Sequence, residues 1–133
     1  KDEFIAAVKD EIEKQFGKNP LENKNYGKIV NEKHFDRLLG LIDYAKVVAG
    51  GNYSRETLQI EPTVMDNVAE NDAVMGQEIF GPIMPILTFD SFDKAIEELK
   101  CKDKPYHGWP SVYSMADVSQ ISTRIRVPYR SRK

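Results

Sequence analysis

The sequence has 133 residues, enough for one ordinary domain with a real hydrophobic core. Its 19 basic and 21 acidic residues give a formal charge of -2, which excludes a global electrostatic attraction to nucleic acid or to membranes. Apolar residues make up 41% of the chain, and no apolar run approaches the roughly 20 residues that span a bilayer. We therefore expect a globular protein with no nucleic-acid partner and no membrane segment.

The cysteine count and the amino terminus bear on location and on completeness. A single cysteine, Cys101, excludes an intrachain disulfide and favours a reducing compartment, so we expect a cytoplasmic protein. Residues 1–4, Lys-Asp-Glu-Phe, have neither the layout of a signal peptide nor an initiator methionine. This beginning suggests a fragment of a longer protein.

Helical periodicity marks two segments in the first third of the chain. Residues 2–16 carry apolar side chains near helical spacing, and Gly17 is expected to end that helix. Residues 17–31 are polar and rich in turn signals, and Asn31 is a good N-cap for a second helix. Four side chains at i, i+3, i+4 and i+7 give this second helix one apolar face: Phe35, Leu38, Leu39 and Ile42.

Three segments have the pattern of strands. Residues 45–48 resemble a short strand closed by the Gly-Gly-Asn of residues 50–52, and residues 57–65 resemble a second strand. The two strands around a turn suggest a hairpin, while Pro62 indicates an edge position or a break. Residues 83–89 are apolar almost throughout, so we expect a third strand that is buried on both faces.

The last third continues the alternation of helices and strands. Residues 91–99 begin with a helix-capping serine, residues 111–113 resemble a strand, and residues 114–125 carry a last helical pattern. This alternation predicts an α/β fold, a layered sheet with flanking helices, over residues 1–126. Residues 127–133 form a basic tail that we expect to fray.

The most distinctive stretch is residues 76–82, Gly-Gln-Glu-Ile-Phe-Gly-Pro, which places a carboxylate and an aromatic ring inside an apolar run. In an extended segment Glu78 and Phe80 leave the same face, while Ile79 points the other way. The Gly-Pro pair then turns and stiffens the chain. Such a pair suits a ligand with hydroxyls next to a planar ring. The alternative is a carboxylate that caps local backbone amides.

An ordered set of motifs in this chain resembles the aldehyde dehydrogenase family. Residues 60–64, Ile-Glu-Pro-Thr-Val, and the stretch at residues 74–86 lie at the interval of the family's Ala-Pro-Thr and Glu-Glu-Ile-Phe-Gly-Pro motifs. Further counterparts are residues 26–31, 34–35, 50–51 and 104–106. The similarity runs from about residue 1 to residue 125. It is greatest to the short-subunit branch that acts on fatty and aromatic aldehydes, and it implies that residues 1–126 are a fragment of the catalytic domain.

The resemblance implies cofactor-binding roles for three residues. Glu78 matches the glutamate that accepts hydrogen bonds from the nicotinamide ribose hydroxyls, and Phe80 matches the aromatic residue near the nicotinamide ring. His34 lies where family members often place a polar residue close to the cofactor. The implied cofactor is NAD or NADP, the implied substrate is an aldehyde that is oxidised to a carboxylic acid, and the implied assembly is a homo-oligomer.

The family reaction also needs a nucleophilic cysteine and a general-base glutamate, and this chain has neither in its family context. The resemblance implies a Gly-Gln-x-Cys segment shortly before Lys1, with the general base further upstream. Cys101 has neighbouring lysines that could lower its pKa, but no family motif surrounds it, so we interpret it as an ordinary helix-end cysteine. We expect no catalytic residue in this chain and no activity from the chain alone.

Other classes of function find less support in the residues. His34, His107 and Cys101 do not have the spacing of metal ligands, so we expect no metal site. The basic tail lacks the interleaved aromatic residues of a nucleic-acid-binding segment. One alternative stays open, a non-catalytic module that self-associates or docks on a partner through unpaired sheet edges.

Overall fold

The computed structural model describes residues 1–94 of the chain. The helices of this part are α1 (Asp2–Phe16) and α2 (Glu32–Leu39), and residues 92–94 are also helical. The strands are β1 (Val47–Ala49), β2 (Tyr53–Ser54), β3 (Gln59–Ile60), β4 (Thr63–Met65) and β5 (Ile83–Pro85). Short 3-10 turns occur at Pro20–Glu22, Tyr44–Lys46 and Ala73–Met75. Helices combined with a sheet agree with the predicted α/β class.

Helix α1 has the predicted bounds and ends where a glycine permits it. Gly17 has a φ of 85°, and its N–H donates to the carbonyl of Glu13, which closes the last turn. Only Ile5 of this helix is buried. Phe16 is half-buried and packs edge-to-face against the Tyr26 ring at 5.1 Å between centroids. Helix α1 therefore packs against the other described residues along one narrow face.

Helix α2 is the central element of the hydrophobic core. The Asn31 side chain accepts a hydrogen bond from the His34 N–H at 2.9 Å, which confirms the predicted N-cap. Phe35 and Leu38 are completely buried. The buried residues around them are Leu41, Ile42, Ile60, Met65, Val68, Val74 and Ile83. The predicted apolar face of α2 is thus the face that holds the core together.

The strands form one mixed sheet and one small separate pair. The sheet has the order β1-β4-β5, with β1 antiparallel to β4 and β5 parallel to β4. The second pair, β2 and β3, is antiparallel and aligns Tyr53 with Ile60. The two predicted strand segments do pair antiparallel, as β1 with β4, but β2 and β3 lie between them in the chain, so they do not form the expected simple hairpin. The predicted strand at residues 57–65 is two strands that belong to different sheets, β3 and β4, with the chain broken between them at Pro62.

The prediction of a long, doubly buried strand at residues 83–89 is wrong. The strand is β5 alone, and beyond Ile83 the apolar side chains are open: Met84 is 40% exposed and Phe89 is 41% exposed. Within residues 1–94, β5 pairs only with β4, so it lies at an edge of the described sheet. An apolar run shows which side chains favour burial, but not whether a second layer covers them.

The remaining predictions for the last third are only partly within the described residues. Ser91 accepts a hydrogen bond from the Lys94 N–H at 3.3 Å, as expected for the start of a helix there. The continuation of that helix, the strand at residues 111–113, the helix at residues 114–125 and the tail at residues 127–133 lie outside the described part.

Hydrogen bonds of Tyr26 connect the loop that follows α1 to β3. The Tyr26 hydroxyl donates to the Ile60 carbonyl at 2.7 Å, and the Gln59 side chain donates to the Tyr26 carbonyl at 3.1 Å. Burial, with a smaller contribution from the charge of Glu61, raises the pKa of Tyr26 to about 12. The neutral phenol is thus a structural tie between the loop and the strands.

This pKa predicts a loss of stability at alkaline pH that depends on Tyr26. The folded state holds the phenol proton more tightly than the unfolded state, in which the pKa is near 10.0. The contribution is complete below pH 10.0 and is lost as the pH rises toward 12. Urea unfolding midpoints at about pH 8 and about pH 11 should fall more for the native chain than for Tyr26→Phe.

The Tyr26→Phe variant serves as the internal reference, since the two proteins differ only in this one phenol hydroxyl. At neutral pH it should lose about 1 kcal/mol through the missing hydrogen bond. Parallel declines of the two proteins between the two pH values would contradict the raised pKa.

Candidate functional site

The distinctive stretch identified in the sequence forms a loop, residues 76–82, which we call the central loop. It connects the 3-10 turn Ala73–Met75 to β5. At its end the Pro82 carbonyl accepts a hydrogen bond from the Thr63 N–H at 2.8 Å, and the Gly81 carbonyl accepts one from the Ile83 N–H at 2.9 Å. The loop is therefore joined to the first residue of β4 before β5 begins.

The side chains in the middle of the central loop alternate between solvent and core. Glu78 is exposed and Phe80 is 77% exposed, whereas Ile79 between them is half-buried against the core. The prediction of an extended segment is wrong at Phe80, which has a φ of 45°. This left-handed conformation is uncommon for a residue with a side chain, and it turns the chain at the ring.

The next residue, Gly81, approaches helix α2 so closely that a side chain would not fit. A Cβ atom at Gly81 would lie 2.5 Å from Cδ2 of Leu38, a residue that is itself completely buried. The glycine in the Gly-Pro pair thus serves a close contact, since its own φ is not in the left-handed region. Contact with Leu38 fixes the position of the loop just after Phe80.

Arg37 holds the part of the loop that precedes Phe80, and the sequence analysis missed it. Its guanidinium donates to the Gln77 side-chain oxygen at 3.1 Å, the Glu78 carbonyl at 3.2 Å and the Ile79 carbonyl at 2.7 Å. These partners are 40 to 42 residues away along the chain. The only available signal was its position beside Leu38 on the helix, which does not indicate a partner.

The Glu78 carboxylate is free of protein partners within the described residues. Because the side chain is exposed, it carries none of the desolvation penalty that its apolar sequence context suggested. Across residues 1–94 no backbone amide or cation contacts the carboxylate, and Arg37 binds the carbonyl of Glu78 instead. The alternative interpretation, a carboxylate that caps local amides, therefore finds no support in this part of the chain.

His34 lies at the start of the same helix that carries Arg37. Its backbone N–H is used in the N-cap with Asn31, and its side chain is exposed. Since residues three apart are neighbours on a helix surface, His34 and Arg37 lie on one side of α2. A role of His34 in cofactor binding stays a prediction.

A separate cleft of about 180 Å³ lies between α1 and the turn that follows β1. Its lining residues are Lys9, Ile12, Glu13, Gly17, Lys18, Pro20, Ala49, Gly50, Glu61 and Pro62. None of the three predicted site residues is among them. The buried Glu61 carboxylate accepts two hydrogen bonds from Asn52, one from its backbone N–H at 3.2 Å and one from its side-chain amide at 2.9 Å. These bonds give Glu61 a structural role. The cleft is therefore distinct from the central loop.

In the part of the chain that the structure describes, no group of three or more histidine, cysteine, aspartate or glutamate side chains is placed to hold a metal ion. Within residues 1–94, no helix has both the length and the apolar character to cross a membrane.

Comparison with known proteins identifies relatives of the whole described region. The family profile of the aldehyde dehydrogenase family matches residues 1–119. Aldehyde dehydrogenase family 3 member H1 of Arabidopsis thaliana is 42% identical over 106 residues, which are 77% of this chain and 22% of that protein. The 4,4'-diaponeurosporen-aldehyde dehydrogenase of Staphylococcus aureus is 37% identical over 127 residues, which are 94% of this chain and 27% of that protein.

Solved structures of the same family have a similar fold. Substrate-bound AldH of Staphylococcus aureus matches with a TM-score of 0.73 and 40% identity, over 75% of this chain and 22% of that one. The aldehyde dehydrogenase of Mycobacterium tuberculosis, complexed with NAD+, matches with a TM-score of 0.57 and 27% identity, over 72% of this chain and 22% of that one. The chain thus spans about a quarter of the length of such relatives. On this evidence the chain belongs to the aldehyde dehydrogenase family.

Proposed function

We propose that this chain contributes one wall of the nicotinamide-binding site of an NAD(P)-dependent aldehyde dehydrogenase. The observation that carries the proposal is the central loop, where an exposed carboxylate with no partner among residues 1–94 and an exposed aromatic ring stand two residues apart. The backbone on both sides of the ring is held by helix α2. An exposed phenylalanine ring at 77% has no structural use in the described core.

The residues present fit the proposed cofactor in their chemistry. An ionised carboxylate accepts hydrogen bonds only, and the two hydroxyls of a ribose are donors that match the two oxygens of Glu78. The flat apolar face of Phe80 suits the nicotinamide ring and keeps water from one side of it. When bound, NAD or NADP supplies the acceptor for the hydride that leaves the aldehyde-derived adduct. This chain's own contribution is to bind and to orient.

The proposed reaction is the oxidation of an aldehyde to a carboxylic acid. It rests on family membership and on the names of relatives, several of which are aldehyde dehydrogenases of family 3. Several matched structures of the family are complexes with NAD+, among them that of Mycobacterium tuberculosis. A homo-oligomeric assembly and a cytoplasmic location stay predictions.

The 133-residue chain by itself should not oxidise aldehydes. Its single cysteine, Cys101, stands in Leu-Lys-Cys-Lys rather than in a Gly-Gln-x-Cys segment, so the chain lacks a positioned nucleophile. With NAD or NADP and a panel of fatty and aromatic aldehydes, absorbance at the reduced-cofactor band should not rise. Cys101→Ala should behave identically. Turnover by the native chain that disappears in Cys101→Ala would contradict the assignment of Cys101 as a non-catalytic residue.

The cofactor role of Glu78 predicts a specific loss of binding. Calorimetric titration of the chain with NAD+ or NADH should give measurable affinity that falls by about tenfold or more in Glu78→Ala, because a charge-assisted hydrogen bond is lost. Glu56→Ala is the matched control, since Glu56 is also exposed and lies in the turn between β2 and β3. Equal affinity of the two variants would contradict the role of Glu78.

The same titration separates the proposal from the alternative of a self-association module. The alternative is favoured by three exposed apolar side chains on and after the edge strand β5: Met84, Phe89 and Phe92. A self-associating chain with no cofactor site would give no binding heat when NAD+ or NADH is added. Injection of the concentrated chain into buffer would instead give a heat of dissociation. Such a result would favour the alternative.

A further inference from the structure

We propose that Arg37 is a positioning residue that sets the conformation of the central loop and thereby aims Glu78 and Phe80 outward. Its benefit to cofactor binding rests on the function proposed above, but the structural role does not. Arg37 and Leu38 are consecutive on α2, and they hold the residues on either side of Phe80. Arg37 binds the carbonyl of Ile79, and Leu38 contacts Gly81.

The fork of the guanidinium suits this task. Two of its nitrogens reach three successive residues, at 3.1 Å to Gln77, 3.2 Å to Glu78 and 2.7 Å to Ile79. A planar group with several N–H donors in fixed directions binds several oxygens at once, whereas an ammonium group acts as a point charge. Arginine at position 37 is therefore not equivalent to lysine.

The central loop depends on this side chain because its own backbone supplies little. Between the Gly76 N–H, which donates to Ala73, and the Gly81 carbonyl, which accepts from Ile83, the described structure has no backbone-to-backbone hydrogen bond. The carbonyls of Glu78 and Ile79 have Arg37 as their partner. The cation thus takes the place of a regular hydrogen-bond ladder in this segment.

Phe80 shows why the segment needs to be held. Its φ of 45° is a conformation that a residue with a side chain keeps only where the surroundings impose it. The fixed points are the Ile79 carbonyl before it and Gly81 after it. Removing the first fixed point should release the turn and let the ring leave its position.

The neighbouring charges leave Arg37 free for the loop. Asp36, which precedes Arg37 on α2, forms an ion pair with Arg55 at 2.6 Å. Arg37 contacts the carbonyl of Glu78 and not its carboxylate, so the acceptor remains open to a ligand. The arrangement keeps a cation close to the loop without neutralising its one free carboxylate.

The test is a comparison of backbone mobility in four forms of the 133-residue chain: native, Arg37→Met, Arg37→Lys and Arg55→Met. Nitrogen-15 relaxation gives an order parameter for each amide, about 0.85 for rigid backbone and below about 0.6 for mobile backbone. We expect residues 77–80 to be rigid in the native chain and in Arg55→Met. In Arg37→Met they should fall to the mobile range while α2 and β4 stay rigid.

Arg37→Lys separates fork geometry from charge, and it also keeps the test valid if the methionine variant does not fold. We expect Arg37→Lys to leave residues 77–80 mobile, since a compact ammonium group lacks the fixed planar fork whose two nitrogens reach three successive residues. Full rigidity in either Arg37 variant would overturn the proposal. So would equal loss of order in α2, because the effect would then be general destabilisation.

A cofactor titration then links the loop to binding. Arg37→Met should weaken NADH binding by about tenfold or more, and adding Glu78→Ala to it should produce little further loss, because both changes remove the same contact. Losses that simply add would contradict an action through Glu78. If the loop becomes mobile but the native chain binds no cofactor, the positioning role stands and the proposed function fails.

Discussion

The contact between helix α2 and the sheet is the interaction on which the described structure depends. Phe35 and Leu38 are completely buried, and the core cluster surrounds them with side chains from β3, β4 and β5. The same helix faces the central loop through Arg37 and Leu38. A single short helix therefore connects the stability of the core to the conformation of the candidate site. A shift in the position of α2 would change both the packing of the core and the conformation of the central loop.

Features governed by neighbours in the sequence could be predicted from it. The bounds of α1, the Asn31 cap and the break at Pro62 each depend on a residue's own conformational preference or on a contact within one helical turn. The apolar face of α2 could also be predicted, because helical spacing identifies which side chains lie on the same side of a helix. These local rules gave the two helices and the α/β class, whereas β2 was not predicted and β5 is shorter than expected.

Features that depend on contacts between distant parts of the chain could not be predicted from the sequence. The bonds from Arg37 join residues 40 to 42 positions apart, and nothing near Arg37 in the sequence names its partners. The left-handed φ of Phe80 lies between two tertiary contacts, the bond from Arg37 to the Ile79 carbonyl and the close approach of Gly81 to Leu38. Physics alone offered two interpretations of Glu78, and only the family resemblance favoured the cofactor role. The structure leaves the carboxylate exposed, and its role in cofactor binding stays a prediction.

We propose that the central loop, and not another surface of residues 1–94, faces a nicotinamide cofactor. The most direct measurement is a map of amide chemical-shift changes in the nitrogen-15 correlation spectrum as NAD+ is added to the chain. If the central loop faces the cofactor, the changes will be concentrated at residues 34–38 and 77–82. Changes concentrated instead around Lys9, Glu61 and the cleft beside α1 would contradict it.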